Sequence, residues 1–126
     1  MPVTIGGSGT LSGSRVTASN AVLGAVTTLA DASTITADFT LGNNFVVTLG
    51  GNRTLGAPTS PVAGQGGVIT IQQDATGGRT LAFNSIWKFP NGVVPALTTT
   101  ASATDVLVYS VDTASRITCQ LLSDVK

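Results

Sequence analysis

From Thr34 onward, apolar and polar residues alternate in short runs. Ile35, Ala37, Phe39 and Leu41 interleave with Thr34, Thr36, Asp38 and Thr40, and Phe45, Val47 and Leu49 interleave with Val46 and Thr48. A period of two places one set of side chains on a single face, the mark of a half-buried strand. Gly42-Asn43-Asn44 between the runs is turn chemistry, so the pair is expected as an antiparallel hairpin. Gly50-Gly51-Asn52 turns the chain again into Arg53-Thr54-Leu55. Pro58 and Pro61 make 57–67 a loop, because proline removes a ladder donor. Val68–Gln73 and Arg79–Phe83 are expected as strands flanking Gly77-Gly78, with Ile69, Ile71, Leu81 and Phe83 inward. Ile86–Phe89 is a short strand ending at Pro90-Asn91-Gly92. Residues 93–104 form an extended connection, and 105–112 and 115–122 are two closing strands with a turn at 112–115.

Seven to nine short strands, no helical period and turns every 8–12 residues predict an all-β fold, an antiparallel β-sandwich that is jelly-roll-like. The sandwich domain is expected over 31–126. Residues 1–30 differ: Gly, Ser, Thr and Ala dominate, Arg15 is the only charge before Asp31, and no period is sustained. This segment reads either as a flexible tail or as an extended N-terminal arm that orders against a neighbouring subunit, burying Val3, Ile5, Leu11 and Val16. "GGNRTL" at 50–55 and "GGRTL" at 77–81 form a small internal repeat. It reads as reuse of turn grammar, since two copies fall short of the three or more that a solenoid needs.

Composition sharpens the picture. Only 10% of the 126 residues are charged, against ~25% in average proteins. All six acids are Asp, histidine is absent, and 20 Thr with 11 Ser supply surface polarity as hydroxyls. Net charge is zero. No basic stripe exists for nucleic acid, and no apolar run reaches the ~20 residues of a membrane helix. Met1-Pro2-Val3 lacks the basic start of a signal peptide. A surface with so few charges gives little repulsion between copies and suits a molecule packed in an assembly.

Catalytic machinery is sparse. Without histidine the commonest general base and metal ligand is missing. The single Cys119 alternates with Ile117 and Leu121 and reads as a buried core thiol. The six Asp residues are isolated in sequence, and a carboxylate pair such as Asp74 with Asp105 has no support from spacing. Gly64-Gln65-Gly66-Gly67 precedes a strand, whereas a phosphate loop precedes a helix. No enzyme, cofactor or metal site is expected. Asp74 and Arg79 read as the ion-paired trim of a hairpin turn at Gly77-Gly78. Trp87 reads as core packing or as a contact patch, and with Tyr109 it offers an alternative carbohydrate platform. Candidate assembly contacts are therefore Val3, Ile5, Leu11, Arg15, Val16 and Trp87.

The order of motifs carries more. "ADFTLGNNFVVTLGGNRTLGAPTSPVAGQGGVITIQQDATGGRTLAF", followed by "WKFPNGVVPALTTTASATDVLVYSVD" and "ITCQLL", resembles a module of tailed-bacteriophage virion proteins found in tail fibres, receptor-binding regions and capsid-associated proteins. The resemblance spans about Ala37 to Leu122. It implies a non-enzymatic, β-rich structural module that forms a homotrimer, and it carries no catalytic residues. Starting at Met1 and stopping soon after the module, the chain is expected to be a complete small virion protein. That favours a capsid decoration or head-spike protein, bound through its arm to the major capsid protein or other virion proteins. The alternative is a tail-fibre or tail-tip module that recognises a host glycan. Neither nucleic acid nor membrane is expected as a partner.

Overall fold

A computed structural model describes residues 23–126. Among the described residues nine strands run in chain order: β1 (Val26–Thr28), β2 (Thr34–Ile35), β3 (Asn44–Leu49), β4 (Arg53–Leu55), β5 (Gly66–Gln73), β6 (Leu81–Phe83), β7 (Trp87–Lys88), β8 (Thr104–Thr113) and β9 (Arg116–Leu122). A 3-10 turn occupies Pro90–Gly92. The fold is all-β, as expected. Its pairing is mixed.

Odd and even strands separate at first. A six-stranded sheet has the order β1-β3-β5-β8-β9-β7, and a three-stranded sheet has the order β2-β4-β6. Within each, β1, β3 and β5, and β2, β4 and β6, run parallel. The chain therefore passes through the large sheet, crosses to the small one and returns, three times over. This is a short two-sheet solenoid of three stacked turns. The return segments stack too: Asp38 bridges Thr59 in parallel, with the Phe39 N–H on the Thr59 carbonyl at 3.0 Å. One turn cannot bury its own apolar face, and stacking supplies the cover.

Two expected hairpins do not form. The alternation from Ile35 to Phe39 is real, since Ile35, Ala37 and Phe39 are all buried, but β2 pairs with β4 rather than with β3. Likewise β5 and β6 lie in different sheets, so Gly77-Gly78 is a corner and not a hairpin turn. The two copies of the repeat lie in neighbouring turns, with the strand register offset by two residues from the sequence match. β4, which begins inside "GGNRTL", pairs with β6, with Arg53 opposite Leu81 and Leu55 opposite Phe83. Antiparallel pairing is confined to β5–β8–β9, where β8 closes the large sheet. β1 and Leu29, whose N–H donates to the Val46 carbonyl at 2.8 Å, fall inside the 1–30 segment expected as an arm.

The core lies between the sheets. Phe45, Val47, Leu49, Ile69, Ile71, Leu107, Tyr109, Val111, Ile117 and Cys119 face inward from the large sheet, against Ile35, Leu55 and Leu81 from the small one. Fully burying a side chain such as Ile69 contributes about 1.5–3 kcal/mol. At one end sits an aromatic cluster. Phe39 stacks on Phe45 and on Tyr109, at ring separations of 5.6 and 5.0 Å, and Trp87 meets Phe39 and Tyr109 edge-on.

Candidate interaction surface

Stacking brings four charges from three different turns to one corner of the solenoid. Asp31, between β1 and β2, accepts Arg53 Nε at 2.7 Å and the Gly50 N–H at 3.0 Å. Asp74, after β5, accepts Arg79 Nη2 at 2.8 Å and the N–H groups of Thr76 and Gly77. Asn52 Oδ1 accepts the Thr80 N–H at 3.0 Å, tying the second turn to the third. The Arg53 guanidinium holds the Asp31 carboxyl below its ordinary range, and Arg79 does the same for Asp74. Both arginines are pushed further up by these partners. Every charge here is answered within the chain, so the corner is structural trim, as its spacing around Gly77-Gly78 suggests.

Two further ion pairs lie elsewhere. Arg116 pairs with Asp112 at 3.4 Å, and Lys126 with Asp124 at 2.7 Å. Asp105 is buried, with Oδ2 accepting the Thr98 N–H at 2.8 Å and Oδ1 the Asp124 N–H at 2.7 Å. It anchors the 93–104 connection and the C-terminal end to β8, and the structure gives it no role beside Asp74. Among the described residues no three potential metal ligands cluster, and no buried side-chain polar atom lacks a partner.

Trp87 is 3% exposed, and its Nε1 donates to the Gly56 carbonyl at 3.0 Å. Tyr109 is 4% exposed, and its hydroxyl donates to the Asn43 carbonyl at 2.6 Å. Burial pushes the Tyr109 phenol up to about 12. Neither ring stands on the surface as a stacking platform. Cys119 is buried against the Lys88 carbonyl, and burial pushes its thiol up to about 12, so it is not poised as a nucleophile. The other candidate contacts, Val3, Ile5, Leu11, Arg15 and Val16, lie outside the described residues.

What the surface does offer is the outer face of the large sheet. Register aligns Val46, Thr70, Val106 and Leu122 in one row across β3, β5, β8 and β9. Asn44, Val68, Val108 and Gln120 form the next. No charge interrupts either row. Near Pro90 the face dips into an open groove of about 320 Å³ over Val108, Thr118, Gln120 and Leu122. A solvated sheet face normally alternates with polar or charged residues that keep it wet and unpaired. This face carries valine and hydroxyls instead. The alternation of β5 and β8 contained that signal: the outward members Val68, Val106 and Val108 are as apolar as the inward ones.

No curated protein and no solved structure matches the chain. A family model does, described as "Putative phage tail fibre C-terminal domain", over residues 34–112, which is 79 of 126 residues. The matched stretch runs from β2 to β8 and so includes two of the three stacked turns, three of the four corner charges (Arg53, Asp74 and Arg79) and most of the uncharged face. This chain belongs to that phage tail fibre C-terminal domain family, and it is a bacteriophage virion structural protein.

Proposed function

We propose that the protein is a tail-fibre structural domain that works by assembly, as a homotrimer, and performs no catalysis. The family match over 34–112 carries this reading and favours the tail over the capsid-surface position expected from the sequence. The uncharged outer face of the large sheet supports the assembly part. A neutral face can meet its own copy without like-charge cost, whereas a charged face would repel it. Four of the six Asp residues are engaged by Arg or Lys within the chain, leaving little charge to recruit an electrostatic partner. Host-glycan recognition, the other role open to a fibre end, gains nothing from Trp87 and Tyr109, whose rings are used in the core.

The test is to image purified particles carrying a tag on this protein. Label at the tail supports the reading, and label over the capsid shell overturns it. A hydrolase panel on the purified protein is expected to show no turnover.

A further inference from the structure

Beside the uncharged rows, at the β7 end of the large sheet, stand the two most weakly paired cations among the described residues. Trp87 faces the core, so alternation turns Lys88 outward on β7, in register with Thr118 of β9. Arg116, at the start of β9, is exposed as well. The corner arginines Arg53 and Arg79 are each held by a carboxylate, at 2.7 and 2.8 Å. Among the described residues, which hold every Asp of a chain without glutamate, Lys88 joins no ion pair. Arg116 reaches Asp112 Oδ2 only at 3.4 Å, and that oxygen already accepts the Thr118 hydroxyl at 2.5 Å. Two cations and one carboxylate leave a local positive charge in a chain whose net charge is zero.

Both cations border one groove of about 430 Å³, lined with Ser85, Phe89, Gly92 and Val94 and underlain by core Trp87. The Pro90–Gly92 turn builds its far part. The Gly92 N–H donates to the Phe89 carbonyl at 3.0 Å and the Val93 N–H to the Pro90 carbonyl at 3.2 Å, while Asn91 takes φ of 57°. This reversal brings Val94, 58% exposed, to the same groove as Lys88. The near part is fixed by pairing with β9 and by the Cys119 thiol, which donates to the Lys88 carbonyl at 3.5 Å. A site on paired strands holds its side chains in place better than one on a loop.

The volume falls within the roughly 300–1,000 Å³ of small-ligand pockets. The lining joins two cations, a hydroxyl and an apolar wall. A neutral sugar would leave the cations unanswered, and a bare inorganic anion would leave Val94 and Phe89 unused. A pyranose ring that carries a carboxylate has an anion, hydroxyls and an apolar C–H face together. We propose that this groove binds such an acidic saccharide unit, with Lys88 and Arg116 on the carboxylate, Ser85 on a ring hydroxyl and Val94 against the C–H face. The site shares no residue with the two uncharged rows and is independent of the assembly reading.

Titration of the full chain with digalacturonate, followed by amide NMR, tests it. Shifts should centre on Ser85, Lys88, Val94 and Arg116, and binding should weaken as salt rises. Lys88→Gln should weaken binding at least ~10-fold and Lys88→Arg should restore most of it, because a charge-assisted bond is lost and regained. Neither variant should move the urea unfolding midpoint or the sedimentation of the parent, which separates this site from fold and assembly. Lys126→Gln should bind as the parent does. Absence of digalacturonate shifts at these residues overturns the proposal, as does binding that Lys88→Gln leaves unchanged. Neutral digalactose binding as tightly would remove the role of charge, and inorganic phosphate binding as tightly would remove the sugar; either result also overturns it.

Discussion

Gln73 grips Arg79 by the backbone at both ends. Its side-chain oxygen accepts the Arg79 N–H at 2.9 Å, and its side-chain nitrogen donates to the Arg79 carbonyl at 2.8 Å. The carboxamide imitates a neighbouring strand. A third bond, to the Thr98 carbonyl at 2.9 Å, fastens the 93–104 connection to the same point. Gln73 ends β5 on the buried face, where the alternation calls for an apolar residue. Glutamine stands there because the chain leaves the large sheet at this corner and its backbone groups need partners in a dry place.

Gln73→Leu should therefore destabilise the fold by about 2–4 kcal/mol, because it strands up to three buried backbone groups without adding a cavity. Gln73→Glu should also destabilise, since a carboxylate cannot donate to the Arg79 and Thr98 carbonyls. Urea unfolding midpoints measure both. A Leu variant as stable as the parent would remove the corner from the account.

Gly77 and Gly78 share nearly the same φ, 73° and 75°, yet differ in surroundings. A Cβ on Gly77 would lie 2.7 Å from Ala101 N and 2.8 Å from Thr99 O, whereas one on Gly78 would meet nothing. Gly78→Ala should cost about 1–2 kcal/mol for the left-handed conformation alone. Gly77→Ala should cost clearly more, because rigid backbone must move as well. Equal thermal shifts for the two variants would contradict this packing.

Acid should weaken the fold in part through its corner pairs. Arg53 lowers the Asp31 carboxyl from the ordinary 3.8, and Arg79 lowers Asp74 from the same value. A lowered folded-state value means that the stabilisation is complete above 3.8 and is lost as pH falls through the lower folded-state values. Stability should stay flat from neutrality to about pH 5 and decline below pH 4. Asp31→Asn should lower the plateau and make the acid limb shallower. Urea midpoints measured across pH give both quantities, and an acid limb unchanged in Asp31→Asn would show that other carboxylates dominate.

Trp87→Ala should act on folding rather than on recognition. Removing a buried Trp costs about 3–5 kcal/mol, and the indole also loses its bond to the Gly56 carbonyl. Emission from Trp87 should be blue-shifted in the folded protein and red-shifted on unfolding. Binding of a host glycan lost on Trp87→Phe, with stability retained, would restore the ring to a surface role.

The inward residues were legible in sequence. Phe45, Val47 and Leu49, Ile69 and Ile71, and Ile117 and Cys119 all alternate as a buried face requires, and all are buried. Their partners were not legible, because alternation is the same for a parallel and an antiparallel neighbour. Gly42-Asn43-Asn44 and Gly77-Gly78 look like hairpin turns, yet each sits where the chain passes between sheets. The decisive residues are distant in sequence: Asp31 meets Arg53 across 22 positions, and Asn52 meets Thr80 across 28. Only the stack brings them together. The uncharged face was foreshadowed by the lack of charge in the composition, but its position depends on the register of β3, β5, β8 and β9.

Sedimentation equilibrium of the purified chain, with Thr70→Lys beside it, tests the assembly role most directly. Thr70 lies at the centre of the uncharged face, between Val46 and Val106. The parent should sediment as a trimer of the 12.6 kDa chain, and Thr70→Lys as a folded species of 12.6 kDa. A parent that sediments at 12.6 kDa, or a Thr70→Lys variant that assembles as the parent does, would contradict the claim that this face holds copies together.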